Sequence, residues 1–378
     1  MTKVKILEFA PTADEIWRIS LNSKDGYTCY DENTGLISLL DTAHDAKPRP
    51  EIIAIYAGGK ATNVARVMDR LLADNDNVQA EIVTFLPPAE EPLKNLGFGI
   101  PDGVELKPST AAGIYIQLLQ VSNLRKVKPR FEVIDELRET GNMQTTRRCI
   151  EITLKERSAS LNFSPRIVWS EEAAESVIAR VSDTLSGSDL VIIAGAPPVW
   201  ESNSKGLTPH NFYAAITELM DDSCGLSIDV RGFYLHECLI ASRSPQFIFM
   251  NLEEFYELSE SWHTIGGKAF PGILIVHNKD GCWVWNRQFP NDSDPFSNSE
   301  YFPSQKIEKV FSTIGAGDAM HAGFIKEWIC SENSGDRLRR SVIYSQAVAS
   351  ISVGNEKATH GIDAVAVDDT FRRIFDSN

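Results

Sequence analysis

The stretch TIGAGDAMHAGF, residues 313–324, places two glycines directly before an acidic residue, Asp318, and continues into small and apolar residues of helical character. Such a turn can leave several backbone N–H groups pointing outward at a helix start, where these donors and the helix dipole favour a phosphate. During phosphoryl transfer they would stabilise the developing negative charge. We therefore predict that Gly315, Ala316 and Gly317 form an anion hole.

The motif alone leaves two interpretations of Asp318 open. An aspartate at the start of a helix often serves only as its N-cap. A carboxylate beside an anion hole is also well placed to accept the proton of a substrate hydroxyl as that oxygen attacks a γ-phosphate. The choice between them depends on what the rest of the chain supplies.

A second motif, Gly58-Gly59-Lys60, is followed by Asn63 and lies between a strand-like run, Ile53–Tyr56, and a helical pattern. It brings a flexible turn, a cation and a carboxamide within one helical turn, which suits a polar, anionic ligand. It is not a P-loop, because the spacing GxxxxGK[ST] does not occur.

The fold class follows from a series of short runs that are apolar on both faces, as in buried parallel strands. Helical patterns such as Ala173–Leu185 and Phe212–Met220 lie between them. This alternation predicts an α/β fold with helices on both faces of a mostly parallel central sheet. The predicted strands include Ile82–Phe85, Leu190–Ala194, Leu226–Asp229, Phe247–Met250 and Ile273–Val276.

Two regions depart from this rhythm and show an alternation of apolar and polar residues, which is typical of exposed antiparallel strands. We assign residues 13–49 and 130–163 to a small β-sheet lid. The main α/β domain is then predicted to comprise residues 1–12, 50–129 and 164–378.

Composition excludes several classes of function. The formal net charge of −15 opposes binding to nucleic acid, which depends on neutralising phosphates. The six cysteines are scattered without a CxxC pair or zinc-site spacing, as expected of a reduced, cytoplasmic protein. No stretch reaches the length of a membrane span or resembles a secretion signal, so no membrane partner is expected.

Together, in this order and spacing, the two glycine motifs resemble those of the phosphofructokinase-B branch of the ribokinase-like carbohydrate kinases, especially 1-phosphofructokinases and tagatose-6-phosphate kinases. The likeness spans most of the chain. It implies a three-layer α/β/α ribokinase-like fold with a lid, a homodimer formed through the lid, and ATP and Mg²⁺ as nucleotide and cofactor. No direct protein ligand to the metal is predicted.

The resemblance also implies roles for residues outside the glycine motifs. Asp14 matches the aspartate that binds sugar hydroxyls, and Arg147 the arginine that binds the phosphate of the substrate. Asn251 and Glu254 match an Asn-x-x-Glu element near the magnesium and the nucleotide phosphates, to which we also assign Thr313. Plainer alternatives are a turn aspartate, an exposed strand arginine and a solvated acidic helix start.

The chain departs from the family pattern around the nucleotide. Phe249 and Met250 replace a common Lys-Pro, which removes a cation, and Val276–Gly281 lacks the usual hydroxyl and glycine. His277 in that loop could contact a phosphate or simply pack. Two small residues, Ala61 and Ala319, stand where a third glycine and a serine are usual.

The resemblance implies transfer of the ATP γ-phosphoryl group to a hydroxyl of a phosphorylated ketohexose, such as fructose 1-phosphate or tagatose 6-phosphate. Asp318 is the expected base, Lys60 and Arg147 hold the sugar phosphate, and Asp14 and Asn63 orient hydroxyls beside Gly58 and Gly59. Two alternatives remain: a kinase of an unphosphorylated sugar or nucleoside, and a catalytically weak sugar-phosphate binder whose nucleotide site has decayed.

Overall fold

The computed structural model describes most of the chain. The described residues are 1–19, 28–30, 37–39, 50–87, 115–116, 118–119, 122–139, 147–154, 157–162, 167–201, 206–258, 272–287, 290, 294–331, 335–355 and 357–376. The strands are β1 (Thr2–Glu8), β2 (Thr12–Ile19), β3 (Thr28–Tyr30), β4 (Ile37–Leu39), β5 (Pro50–Gly58), β6 (Val78–Leu86), β7 (Val127–Val133), β8 (Arg138–Glu139), β9 (Arg147–Leu154), β10 (Arg157–Asn162), β11 (Ile167–Val168), β12 (Leu190–Ala194), β13 (Gly225–Asp229), β14 (Phe247–Asn251), β15 (Ile273–Asn278), β16 (Gly281–Asn286) and β17 (Glu300–Pro303). The helices are α1 (Lys60–Leu71), α2 (Glu171–Leu185), α3 (Phe212–Thr217), α4 (Gly232–Ile240), α5 (Leu252–Glu257), α6 (Ala316–Cys330), α7 (Arg337–Val353), the 3₁₀ helix η1 (Ala358–Gly361) and α8 (Ala364–Phe375).

A nine-stranded sheet forms the centre of the fold, in the order β17-β16-β15-β14-β13-β12-β1-β6-β7. From β7 to β15 every neighbouring pair is parallel, and β16 and β17 extend one edge in antiparallel pairing. All five apolar runs predicted as buried parallel strands lie in this sheet. The prediction of a mostly parallel central sheet is confirmed.

Successive side chains of the central strands point to opposite faces and enter two separate cores. In β14, Phe249 packs on one side, whereas Ile248 and Met250 pack on the other. Helices α1, α6, α7 and α8 cover the face of Phe249, and α2, α3, α4 and α5 cover the opposite face. This is the three-layer arrangement that double-faced apolar strands require, because both sheet faces must be kept from water.

A second sheet of four strands has the order β10-β9-β2-β5. Strand β5, which the sequence analysis placed with the larger domain, pairs with β2 here and then leads into α1. The predicted lid range 130–163 in turn includes the end of β7, which pairs with β6 in the central sheet. The chain passes directly from β1 of the central sheet to β2 of the smaller sheet, and the glycine turn after β5 joins the smaller sheet to α1.

The carboxyl ends of β1, β12, β13, β14 and β15 lie along one edge of the central sheet, since these strands are parallel. Ligands of open α/β sheets bind at this edge. The starts of α1 and α6 meet there, so the two glycine motifs come together although 255 residues separate Asn63 from Asp318. No helix among the described residues is long and apolar enough to cross a membrane.

Candidate active site

The glycine-rich turn ends at Gly315, which is the N-cap of α6 and has a φ of 72°. A Cβ atom at this position would lie 2.7 Å from Cγ2 of Thr359, so both the left-handed backbone and the close neighbour require glycine. The N–H of Ala316 donates to the carbonyl of Thr313 at 3.3 Å. With Gly317 it belongs to the first turn of a 15-residue helix, where the helix dipole favours an anion.

Asp318 is the third residue of α6 and is buried. The N-cap is Gly315, and α6 has no side-chain cap hydrogen bond, so the interpretation of Asp318 as a helix cap is wrong. Its Oδ2 instead accepts a hydrogen bond of 2.8 Å from Nδ2 of Asn63 in α1. The buried carboxylate therefore bonds to the helix that the other glycine motif begins.

The turn before α1 is constrained in a similar way. Gly59 has a φ of 106°, and a Cβ atom there would lie 2.6 Å from Oε2 of Glu8. The carboxylate of Glu8 accepts hydrogen bonds from the N–H and hydroxyl of Thr62 at 3.0 and 2.9 Å and from the N–H of Ala10 at 3.0 Å. The sequence analysis missed Glu8, because its contact with Thr62 joins segments 54 residues apart.

Lys60, the first residue of α1, forms an ion pair of 2.7 Å with Asp229 at the end of β13. Burial lowers the pKa of Lys60, but the carboxylates of Asp229, Asp318 and Glu254 raise it by more. Burial likewise raises the pKa of Asp229, yet the field of Lys60 and nearby groups leaves it below its ordinary value. Both groups are therefore charged at neutral pH. The sequence analysis did not identify Asp229.

Asn251 and Glu254 form a capping box at the start of α5. Oδ1 of Asn251 accepts from the N–H of Glu254 at 2.8 Å, and Oε2 of Glu254 accepts from the N–H of Asn251 at 3.0 Å. Burial raises the pKa of Glu254, although Lys60 opposes this. Asn251 has its backbone next to His277 in the sheet, so this element borders the cleft as well as capping a helix.

The departures from the family pattern have different structural consequences. The ring of Phe249 lies fully buried between the sheet and α6 and stacks on His321 with centroids 4.3 Å apart. His277, at the end of β15, packs against the anion-hole turn, since a Cβ on Gly317 would lie 3.2 Å from Cε1 of the imidazole. Burial lowers the pKa of His277, which favours the neutral ring.

A cleft of about 840 Å³ adjoins the anion-hole turn. Polar and apolar side chains both line it, as is common in sites for organic ligands. Its polar lining includes Asn251, Glu253, His277, Lys279 and Thr313, and its apolar lining includes Tyr256, Ile307, Val310, Met320 and Val353.

Two predicted substrate residues lie in the smaller sheet, where only the backbone is described. Arg147 begins β9 and pairs with Thr12 of β2, and Asp14 lies two residues further along β2. Asp14 also pairs with Tyr56 of β5, two residues before Gly58. Their backbones therefore lie near the glycine turn, and their roles toward substrate stay predictions.

The layered fold and the paired glycine turns define a ribokinase-like α/β enzyme. The pfkB family carbohydrate kinase model matches residues 143–364, which is more than half of the chain. The chain therefore belongs to the pfkB family of carbohydrate kinases, which are phosphotransferases. No curated protein matches the sequence.

Solved structures with the same fold share little sequence with this chain. Phosphofructokinase-2 from Escherichia coli, in complex with substrates and products, has a TM-score of 0.63 and 15% identity, covering 99% of this chain and 100% of that one. A possible 1-phosphofructokinase from Thermotoga maritima has a TM-score of 0.60 and 14% identity, with 98% and 97% covered. Ribokinase from Thermotoga maritima has a TM-score of 0.57 and 14% identity, covering 98% of this chain and 100% of that one.

Proposed function

We propose that this carbohydrate kinase transfers the γ-phosphoryl group of ATP to a hydroxyl of a phosphorylated ketohexose, of the fructose 1-phosphate or tagatose 6-phosphate type. The observation that carries the proposal is the buried carboxylate of Asp318 in the first turn of α6, next to Ala316 and Gly317, which line the 840 Å³ cleft. Family membership supports the kinase reaction, and the phosphofructokinase names of two structural relatives point toward a ketohexose phosphate.

In this proposal Asp318 is the general base. The hydroxyl oxygen of the sugar forms a bond to the γ-phosphorus, the bond from that phosphorus to the bridging oxygen breaks, and ADP leaves with the electron pair. The hydroxyl proton passes to the carboxylate of Asp318. The first-turn N–H groups of α6, from Gly315 to Gly317, stabilise the charge on the transferring group.

The substrate side of the proposal assigns the sugar phosphate to Lys60 and Arg147 and the sugar hydroxyls to Asp14 and Asn63. Lys60 remains protonated beside Asp229 and so offers a cation to the site. Arginine suits a phosphate because its planar guanidinium can donate two hydrogen bonds at once. Closure of the smaller sheet over the site would exclude water as a competing acceptor. We also propose a homodimer formed through that sheet.

Magnesium is expected to enter with the nucleotide. Within the described ranges, no three His, Cys, Asp or Glu side chains are grouped so that they could hold a metal ion. The carboxylates of Asp229 and Glu254 lie near Lys60, and Mg²⁺ usually keeps several waters while binding through substrate phosphates. This sparse acidic set fits such an ion, which when bound neutralises charge on the phosphates.

A coupled ADP-release assay over a panel of sugars tests the proposal. We expect turnover with fructose 1-phosphate or tagatose 6-phosphate to exceed that with fructose, tagatose and nucleosides by at least about a hundredfold in kcat/KM, because a phosphate clamp contributes several kcal/mol. Arg147→Met should remove most of this preference, and Arg130→Met, on a strand of the central sheet, is the matched control.

Each rival has its own outcome in the same assay. Equal activity on fructose and fructose 1-phosphate would overturn the clamp and favour the kinase of an unphosphorylated sugar. Sugar-phosphate binding by calorimetry without binding of an ATP analogue and Mg²⁺ would favour a weak binder with a decayed nucleotide site.

A further inference from the structure

A chain of hydrogen bonds runs from the interior of α1 to Asp318. Nη1 of Arg66 donates to Oδ1 of Asn63 at 2.7 Å, and Nδ2 of Asn63 donates to Oδ2 of Asp318 at 2.8 Å. All three side chains are buried, and Arg66 is only 1% exposed. The candidate base is therefore connected to a buried cation through a single carboxamide.

The contact with Arg66 determines which way the carboxamide points. A guanidinium can only donate hydrogen bonds, so the atom of Asn63 that faces it must be the carbonyl oxygen. The hydroxyl of Thr359 lies 3.5 Å from the same oxygen and adds a second donor. The amide nitrogen must then face Asp318, where it donates to the carboxylate. Rotated by 180°, the carboxamide would present its oxygen to a carboxylate and repel it.

Arg66 is itself held by two other parts of the fold. Its Nη2 donates to the carbonyl of Ala57 at the end of β5, and its Nη1 also lies 3.4 Å from the hydroxyl of Thr359 in η1. Thr359 in turn packs against the position that a Cβ on Gly315 would occupy. The same guanidinium thus links the β5 turn, the carboxamide and the wall of the anion-hole turn.

We propose that Arg66 is a positioning residue that orients the carboxamide of Asn63, so that Asn63 donates to Asp318 and keeps this base ionised and aimed at the substrate hydroxyl. The inference rests on the proposed role of Asp318. A buried arginine is costly to desolvate, and an apolar side chain would fill the same space in α1 without that cost. The orientation of the Asn63 carboxamide by Arg66 explains why a buried arginine is present at this position.

Several charged or titratable groups surround Asp318 and Arg66 and would shape a pH profile. Donation by Asn63 favours the ionised carboxylate, as does the positive charge of Lys60. Within the described residues the others include Asp229 at the end of β13, Glu254 in α5, His277 at the end of β15, His321 in α6, His360 in η1 and Tyr115, which interacts with Arg66. Burial lowers the pKa values of His277, His321 and His360, so all three rings are neutral at pH 7.

The test compares pH profiles of kcat for the wild type, Asn63→Leu and Arg66→Met. A base must be ionised, so kcat rises with pH through the pKa of Asp318. Without the amide donor that pKa rises, and the acid limb should move to higher pH by about one unit in Asn63→Leu, the size expected for one charge-assisted hydrogen bond. Arg66→Met should shift it in the same direction by less, and Arg66→Lys should restore part of the shift.

Arg70→Met changes an exposed arginine of the same helix and should leave the profile unchanged. If Asn63→Leu raises the KM for sugar while the acid limb stays in place, Asn63 binds only the hydroxyls and the proposal is overturned. A normal profile for folded Arg66→Met would contradict the role of Arg66.

A second measurement does not require activity or the arginine variant. The pKa of Asp318 can be followed by ¹³C NMR in protein labelled at aspartate carboxyls, with the resonance assigned by its loss in Asp318→Asn. A higher pKa of Asp318 in Asn63→Leu than in the wild type supports the hydrogen-bond chain from Arg66 through Asn63 to Asp318. This result would hold even if no sugar were phosphorylated, and the lack of phosphorylation would refute only the proposed function. An unchanged pKa of Asp318 would overturn the proposal that Asn63 keeps this carboxylate ionised.

Discussion

The two sides of the site are built differently. On the side of the proposed base, the base side, Asp318 is buried and accepts a hydrogen bond from Asn63, and glycines with positive φ form the turns that begin α1 and α6. On the proposed nucleotide side, the ends of β14 and β15 border an open, largely apolar cleft. Both marked departures from the family pattern, at Phe249 and Val276, lie on these two strands.

Substitutions should be tolerated less well on the base side than on the nucleotide side. Each base-side group has close neighbours on two or more elements, so that a change of one atom disturbs several contacts. On the nucleotide side the ring of Phe249 packs in the core by stacking on His321, and the ring of His277 packs against Gly317. We therefore expect the base side to control turnover and the nucleotide side to adjust nucleotide affinity.

Asp318→Asn should have the largest effect. The carboxamide cannot accept the hydroxyl proton, and the loss of a general base lowers kcat by about 10²–10⁴-fold. Calorimetry should show that sugar-phosphate binding is retained. Asp336→Asn, at a helix start without a side-chain cap bond, is the matched control. Near-normal turnover in Asp318→Asn would show that Asp318 is not the general base.

Gly315→Ala should come next. The left-handed backbone adds roughly 1–2 kcal/mol of strain, and the new Cβ would lie 2.7 Å from Thr359. We expect at least about a tenfold loss of kcat through displacement of the anion-hole turn. Thermal unfolding measures the strain separately, and Gly335→Ala, where a Cβ would meet no atom within 4 Å, provides the comparison. Unaltered kinetics and stability would show that the turn is not constrained.

Lys60→Met should affect both binding and stability. It leaves Asp229 buried without its cation, which we expect to cost roughly 1–2 kcal/mol after allowing for solvent screening of the 39% exposed lysine. Because the folded pKa of Asp229 is lowered, the stabilisation is present above its unfolded pKa and is lost as pH falls below about 4. Urea unfolding at pH 7 and pH 3 should show the wild-type advantage shrinking; a constant advantage would argue against the ion pair.

His277→Ser should have the smallest effect on kcat, within about threefold, while introducing a hydroxyl near Gly317. We expect a lower KM for ATP, because the hydroxyl can donate to a phosphate that the packed imidazole crowds. In the wild type the KM for ATP should stay constant between pH 6.5 and 8, since burial lowers the pKa of His277 and the ring remains neutral there. A large drop in kcat would instead give His277 a direct part in transfer.

The sequence allowed the central sheet to be predicted because its strands are apolar on both faces, a pattern that few other structures require. The two glycine turns were also recognisable, since positive φ at Gly59 and Gly315 demands glycine. Asn251 and Glu254 have the spacing of a capping box, a signal that was present in the sequence and was not used.

Other parts of the site could not be predicted, because they depend on contacts between distant segments. Asp229 reads as the end of an apolar strand, and only the fold brings it to Lys60, 169 residues away. In the sequence Arg66 is a charged residue among the apolar residues of α1. Its contacts with Ala57 and Thr359 become visible only in the fold. The periodicity of apolar residues and the amino-acid composition carry no information on such long-range pairs.

The most direct test of the account is ³¹P NMR of the wild-type protein with ATP, Mg²⁺ and fructose 1-phosphate or tagatose 6-phosphate. We predict that the γ-phosphate signal of ATP is replaced by ADP signals and by an equal amount of a new phosphomonoester, and that neither appears with Asp318→Asn. Persistence of ATP with every sugar phosphate that binds, or equal product formation by Asp318→Asn, would contradict phosphoryl transfer at this site.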